Sequence, residues 1–167
     1  PLLYVKLVGG QDELVFDGAS LMLEGNTIVS RAGQFTEEIL LVAVDDKAVP
    51  PVISPAVNPE VEYIFIDEQV PALEADLANR ADVPAPLDDF PEVYTALVTG
   101  LRDYVDKNGF KQVIIAISGG IDSALVAAIA VVALGADRVL GVTMPSQYSS
   151  EGTLGDAGLL AQSLGID

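Results

Sequence analysis

The chain has 167 residues, half of them apolar, with 25 acidic residues against eight basic ones and a formal net charge of −17. This composition is typical of folded protein, one domain or parts of two, and such a charge argues against a nucleic-acid partner. Cysteine and histidine are absent, which excludes disulfides, thiolate metal sites and a cysteine nucleophile within these residues. No signal-peptide pattern and no membrane-spanning run is visible, so we expect a cytoplasmic protein with no membrane partner.

Residues 1–46 carry the pattern of a small β-sheet. The predicted strands are Leu2–Val8 ended by Gly9-Gly10, Leu14–Phe16, Ser20–Glu24, Thr27–Arg31 and Glu38–Asp45. The pair Gly25-Asn26 between two of them is typical of a tight hairpin turn. So short a sheet without a helix buries little core, and we expect it to be the last part of a larger domain.

Residues 47–89 are interrupted by prolines, which break regular structure and restrict the residue before them. We interpret this segment as a linker between two domains, because a long structureless loop is uncommon inside one domain. A short strand at Val61–Ile66 and a short helix at Ala72–Arg80 are the elements it could hold.

Residues 90–167 alternate between helix and strand patterns. The predicted order is a helix from Phe90 to Asn108-Gly109, a strand at Val113–Ile117, a helix at Ser123–Leu134, a strand at Arg138–Met144 and a helix at Thr153–Leu164. This order predicts a parallel sheet with right-handed crossovers, the beginning of a doubly wound α/β domain.

The strongest chemical signal is a glycine-rich turn between the first of these strands and the next helix. The residues predicted to bind a nucleotide are Ala116, Ile117, Ser118, Gly119, Gly120, Ile121, Asp122 and Ser123. A turn of this kind directs backbone N–H groups and a helix N-terminus at one anion, and its serines add hydroxyl donors. It lies where open α/β sheets bind ligands, at the carboxyl ends of the strands.

Asp122 is unusual in an anion site, because its carboxylate would repel phosphate. A Mg²⁺ ion bridging Asp122 to phosphate oxygens removes that conflict, so Asp122 is the predicted metal ligand. The turn also lacks the lysine of the common mononucleotide P-loop, which favours holding pyrophosphate as a leaving group. The alternative is a plain strand-to-helix turn in which Asp122 only favours the first helical turn.

The sequence SGGIDS at residues 118–123 resembles the loop of the ATP pyrophosphatase superfamily. Two further stretches narrow the resemblance to glutamine-dependent NAD synthetases. GVTMPSQYSSEG at residues 141–152 is similar to their second-strand loop, and VGGQDELVFDGAS at residues 8–20 is similar to the late part of their nitrilase-fold amidase domain.

This resemblance implies an amidase end at residues 1–46, a linker at 47–89 and the start of the synthetase domain at 90–167. It implies ATP and Mg²⁺ as cofactors, deamido-NAD and glutamine as substrates, and a homo-oligomer. ATP would adenylate the deamido-NAD carboxylate, and ammonia from glutamine would displace AMP. The alternatives are a synthetase that uses free ammonia, another ATP pyrophosphatase, or a nucleotide-binding module without catalysis. The cysteine, glutamate and lysine of the family's amidase find no counterpart here, so no catalytic residue is assigned.

Two smaller signals have two interpretations each. The carboxylates of Asp12, Glu13 and Asp17 could perform acid–base work, but we favour a hairpin that shapes the amidase pocket or contacts the synthetase. Val142 and Met144 could line an adenine pocket or belong to the core.

Overall fold

A computed structural model of the chain describes residues 1–42, 83–144 and 151–167. Within these ranges the chain is a mixed α/β structure. Its strands and helices, in chain order, are β1 (Leu2–Tyr4), β2 (Val8–Gln11), β3 (Leu14–Asp17), β4 (Leu21–Glu24), β5 (Thr27–Arg31), α1 (Asp89–Lys107), β6 (Val113–Ala116), α2 (Ile121–Leu134), β7 (Val139–Val142) and α3 (Glu151–Leu164). A single 3₁₀ turn, Ala136–Arg138, leads into β7.

The strands of residues 1–42 form two antiparallel groups. β1, β4 and β5 make one sheet in the order β1-β4-β5, and β2 pairs with β3. The turn between β4 and β5 is the predicted Gly25-Asn26 hairpin, with Gly25 at a φ of 60°. Met22 is almost fully buried at 1% exposure, and Ala32 is buried too, so this part has a small core of its own.

Two of the predicted strands differ from the structure. The run Leu2–Val8 is divided because β1 pairs with β4 while β2 pairs with β3, and Gly9 and Gly10 lie inside β2 instead of ending a strand. The predicted strand Glu38–Asp45 is wrong over its described residues, 38–42, which form no strand. Ile39 and Leu41 are exposed there. No strand forms because an apolar run becomes a strand only where a neighbouring strand accepts its hydrogen bonds.

The predicted strand at Val61–Ile66 and the predicted helix at Ala72–Arg80 lie outside the described residues, as does most of the predicted linker.

Helix α1 confirms the predicted helix. Pro91 lies in its first turn, where a missing N–H costs nothing, and Gly109 follows its end at a φ of 73°. Arg138 holds this end in place, because its guanidinium donates to the carbonyl oxygens of Phe110 (2.9 Å) and Lys111 (3.2 Å) and pairs with Asp106 at 2.9 Å.

The β6-α2-β7-α3 order confirms the predicted parallel arrangement. β6 and β7 pair in parallel, with Val113 opposite Val139 and Ala116 opposite Val142. α2 is rich in alanine and other apolar residues and ends at Gly135, whose φ of 89° suits only glycine. Beyond α3 the chain returns to the sheet, where the N–H of Gly141 donates to the carbonyl oxygen of Asp167 at 2.7 Å.

One hydrophobic core joins the three helices to the β6–β7 pair. Its buried members are Val98, Val105, Ile117, Ile129, Ala130, Ala133, Leu134, Val139, Ala157 and Ile166. This core fixes the start of α2 relative to the end of β6, which is where the glycine-rich turn lies. Among the described residues, no helix is both long and apolar enough to cross a bilayer.

Candidate nucleotide-binding turn

Ile117 anchors the turn after β6 in the hydrophobic core, and the rest of the turn is open to solvent. Ile117 is 4% exposed, and its N–H donates to the carbonyl oxygen of Val142 at 2.9 Å. The chain then reverses direction at Gly119, whose φ is 82°, a left-handed conformation that side chains disfavour. Gly120 has a φ of −91° and a ψ of 161° and is the N-cap residue of α2.

Ser118 and Ser123 brace this turn from inside. The Ser123 hydroxyl donates to the carbonyl oxygen of Gly120 at 3.0 Å and accepts the Ser118 N–H at 3.2 Å. The two hydroxyl oxygens are 3.1 Å apart, and since each carries one proton, Ser118 donates to Ser123. The Ser118 oxygen also accepts the N–H of Gly120 at 3.3 Å. In this arrangement both hydroxyl protons are used within the turn, so backbone N–H groups are the donors left for an anion.

Those donors lie at the start of α2. The first intrahelical bond runs from the N–H of Ala124 to the carbonyl oxygen of Gly120 at 3.1 Å, so the N–H groups of the three residues before Ala124 have no intrahelical acceptor. Glycine at the N-cap supplies no side chain to satisfy them. The helix dipole adds a partial positive charge at the same point.

An open pocket lies against this end of the helix. Its lining residues are Gly119, Gly120, Ile121, Ala124, Asp156 and Leu160. Asp156 on α3 is a residue that the sequence analysis missed, since nothing in its spacing distinguishes it from a solvent-facing helical aspartate. None of the six basic side chains among the described residues lines the pocket, so attraction for an anion comes from the backbone.

Asp122 lies in the first turn of α2 with its side chain exposed. It forms no hydrogen bond or ion pair with any other described residue. Within the described ranges, no group of three or more carboxylates could hold a metal ion by itself. Asp122 is thus available as a single carboxylate ligand, and one or two carboxylates are the usual protein contribution to Mg²⁺ bound with a phosphate substrate.

The other predicted residues divide into structural and exposed positions. Ala116 ends β6 with its side chain exposed, and the side chain of Ile121 is 80% exposed. At the end of β7, Val142 is half-buried while Met144 is 74% exposed, so Met144 is not a core residue. Residues 145–150 of the second-strand loop lie outside the described residues.

The acidic residues of the β2–β3 hairpin do not meet. Asp12 and Glu13 form its turn, whereas Asp17 pairs with Val8 at the opposite end. Burial acts to raise the pKa of Asp17, but the hydrogen bond and positive charge of Lys6 outweigh it, so the pKa lies below its ordinary value. The three carboxylates lie apart, and Asp17 is ionised and paired with Lys6. Both facts argue against acid–base catalysis by these residues and favour the structural interpretation of the hairpin.

Comparison with known proteins gives a consistent result. Residues 93–167 match the family model described as NAD synthase. The chain is 42% identical, over 98% of its length, to the glutamine-dependent NAD(+) synthetases of Thermotoga maritima and Aquifex aeolicus. It also superimposes, with a TM-score of 0.74 and 34% identity over 98% of its length, on the glutamine-dependent NAD+ synthetase of Acinetobacter baumannii solved with adenosine diphosphate.

The chain belongs to the glutamine-dependent NAD(+) synthetase family. It spans 30% of the length of the Thermotoga and Aquifex relatives and 26% of the solved Acinetobacter chain. Family membership extends across both described parts, because the matched region includes the strands of residues 1–42 as well as the helices and strands after residue 83.

Proposed function

We propose that the turn between β6 and α2 binds the phosphates of ATP in an enzyme that amidates deamido-NAD with ammonia taken from glutamine. The observation that carries this proposal is the set of N–H groups at the start of α2 that lack an intrahelical acceptor, beside a pocket at the carboxyl end of a parallel strand. The adenosine diphosphate in the Acinetobacter relative supports a nucleotide as the ligand.

The proposed reaction has two steps. A carboxylate oxygen of deamido-NAD attacks the α-phosphorus of ATP, and the bond to the β-phosphate oxygen breaks to release pyrophosphate. The nitrogen of ammonia then attacks the activated carbonyl carbon, loses a proton, and the bond to AMP breaks to leave the amide of NAD. The residues of this chain contribute to the first step by positioning ATP and stabilising the negative charge on the departing pyrophosphate.

The residues of the turn have distinct roles in this proposal. Gly119 and Gly120 let the phosphates approach the backbone, and the N–H groups of Ile121, Asp122 and Ser123 donate to phosphate oxygens. Ser118 and Ser123 keep the turn rigid through the hydrogen bonds between them. Within the described part, no lysine lines the pocket.

Asp122 would hold Mg²⁺ in the loaded enzyme, and its exposed, unpaired carboxylate fits that role. When bound, the ion neutralises phosphate charge that Asp122 would otherwise repel.

We also propose the domain division that the resemblance implies. Residues 1–46 would form the end of a nitrilase-like amidase domain, 47–89 the linker, and 90–167 the start of the synthetase domain. The separate core around Met22 and the parallel β6–β7 pair support two different architectures on the two sides. Glutamine hydrolysis would use residues beyond this stretch, because the chain has no cysteine.

Isotope exchange tests the function directly. In the full-length protein, labelled pyrophosphate should enter ATP when Mg²⁺ and deamido-NAD are present and ammonia is withheld, because only the first step can then reverse. Absence of exchange in an enzyme that still binds ATP would favour a nucleotide-binding module. Exchange without any dependence on deamido-NAD would favour another ATP pyrophosphatase. A protein that makes NAD from ammonium but never from glutamine would favour the ammonia-dependent class.

A further inference from the structure

The β2–β3 hairpin is bound to the C-terminal half of α1 by polar contacts that cross from one proposed domain to the other. The N–H of Gly10 donates to Oδ2 of Asp103 at 2.7 Å, and Nζ of Lys107 donates to the carbonyl oxygen of the same glycine. Lys107 also pairs with Asp103 at 3.3 Å. Both the N–H and the carbonyl oxygen of Gly10 are thus bound by two residues that lie one helical turn apart. We call Gly10, Gly100, Asp103 and Lys107 the hairpin–helix contact.

The two backbones approach too closely for side chains at this contact. A methyl group on Gly10 would lie 3.0 Å from the Cα of Gly100, and a methyl group on Gly100 would lie 3.0 Å from a methyl of Val15. A methyl group on Gly10 would therefore meet backbone, whereas one on Gly100 would meet only the end of a side chain, so Gly10 is the position where a side chain is harder to accommodate. Such a backbone-to-backbone approach fixes the position of the hairpin along the helix more tightly than a contact between flexible side chains.

A second attachment lies near the start of α1. The side-chain amide of Gln34 donates to Glu92 at 2.9 Å and accepts the N–H of Leu87 at 2.7 Å. Glu92 and Asp103 are eleven residues apart on α1, which corresponds to about 16 Å along a helix axis. Two attachments separated by that distance prevent the β-strands of residues 1–42 from rotating about either one.

Helix α1 carries this attachment onward to the nucleotide-binding turn. Val98 and Val105 belong to the same buried core as Ile129 and Ala130 of α2. The guanidinium of Arg102 donates to the carbonyl oxygen of Ala133 at 3.3 Å. Because α2 begins at Ile121, directly after the turn, the hairpin, α1, α2 and the turn form one continuous series of packed elements.

We propose that the hairpin–helix contact couples the glutamine-hydrolysing half of the enzyme to the ATP-using half, with Asp103 and Lys107 as positioning residues. This inference rests on the proposed function. Ammonia that escapes into neutral water becomes ammonium, which has no free electron pair and cannot attack an adenylate. Productive transfer of ammonia therefore requires the two halves to stay in one relative position. The hairpin–helix contact holds the hairpin in that position against α1, which packs on α2 next to the nucleotide-binding turn.

The test compares two nitrogen sources in the full-length enzyme. Asp103→Ala removes the acceptor of the Gly10 N–H, and Gly10→Ala inserts a methyl group between the two backbones. Asp106→Ala is the matched control, since Asp106 is on the same helix but pairs at 2.9 Å with Arg138, which directly precedes β7. For each variant, NAD formation from glutamine, NAD formation from ammonium, glutamate release and melting temperature are measured.

We expect Asp103→Ala and Gly10→Ala to raise the ratio of glutamate released to NAD formed by about threefold or more. Ammonium-supported NAD formation should stay within about twofold of wild type, and Asp106→Ala should leave the ratio unchanged. Asp103→Asn keeps an acceptor oxygen and should restore most of the coupling. An unchanged ratio of glutamate to NAD in both test variants would overturn the proposal, and so would an equal rise of that ratio in Asp106→Ala. A loss of NAD formation that only follows the fall in melting temperature would also overturn it. A wild-type enzyme that makes NAD from neither glutamine nor ammonium would instead contradict the proposed function.

Discussion

The replacement Gly120→Asn distinguishes the contribution of this position to ATP binding from its contribution to folding stability. The φ of −91° and ψ of 161° at this position are open to any residue, and a Cβ there would be in ordinary contact with the Ser118 hydroxyl at 3.4 Å. Asparagine is among the best N-cap residues, so the variant should keep its stability or gain a few tenths of a kcal/mol.

The same asparagine should weaken ATP binding. Its side-chain oxygen can accept the N–H of Asp122 or Ser123, which are the donors that we assign to phosphate. Its bulk also occupies the pocket beside Gly120. Losing one charge-assisted hydrogen bond of about 1.5 kcal/mol amounts to roughly a tenfold rise in Kd.

Calorimetric titration of the full-length enzyme with Mg²⁺-ATP, beside a thermal melt, measures both quantities. Gly119→Ala is the control for backbone strain, because the φ of 82° at Gly119 should cost a side chain about 1–2 kcal/mol and lower the melting temperature. We therefore expect Gly120→Asn to lose affinity without losing stability. Affinity within about threefold of wild type would refute the anion site at the start of α2, since those N–H groups are the only donors assigned to it.

Three further changes test other parts of the structure. Asp122→Asn should raise the Mg²⁺ concentration that half-saturates ATP binding by about tenfold while leaving glutamate release intact, as measured by metal titration; unchanged Mg²⁺ dependence would contradict the assignment. The pKa of Asp17 is lower in the folded protein than its ordinary 3.8, so its pairing with Lys6 stabilises the fold above that pH and is lost as pH falls through the lower folded value. On acid titration, Lys6→Met should therefore lose less folding stability below about pH 4 than wild type does. Parallel curves of stability against pH for the two proteins would contradict the role given to the Asp17–Lys6 pair. The lysine of Arg138→Lys cannot keep the three directed contacts of the guanidinium, so denaturant unfolding should show a free energy of unfolding lower by about 1 kcal/mol. ATP affinity should stay unchanged, and a loss of ATP affinity would mean that the end of α1 also shapes the site.

Where signals are local, the sequence predicts the fold well. The Gly25-Asn26 hairpin, α1 with Pro91 near its start, and the β6–α2 unit each depend on residues only a few positions apart. Turn residues, helix ends and hydrophobic periodicity act through the nearest backbone, so their pattern carries over directly into structure. The position of the glycine-rich turn between β6 and α2 is predictable for the same reason, since its glycines are consecutive, whereas its binding of a nucleotide stays a prediction.

Features that depend on distant partners are not predictable in this way. Residues 38–42 have the apolar content of a strand but no neighbouring strand within the described part, and Leu2–Val8 is divided because its two halves have different partners. The bond from Gly10 to Asp103 joins residues 93 positions apart. Nothing in the sequence around Gly10 distinguishes a glycine needed for close approach from one needed for a turn.

The net charge of −17 and an ATP site are compatible because they act over different distances. Exposed charges more than about 8 Å apart are largely screened at physiological ionic strength, so acidic residues across the surface affect a bound nucleotide weakly. The N–H groups at the start of α2 act at hydrogen-bond distance, where screening is small. Two carboxylates lie beside the proposed site, Asp122 in the first turn of α2 and Asp156 in the pocket lining, and the proposed Mg²⁺ would offset their repulsion. An anion site made from backbone would therefore let the rest of the surface stay acidic without weakening the affinity for phosphate.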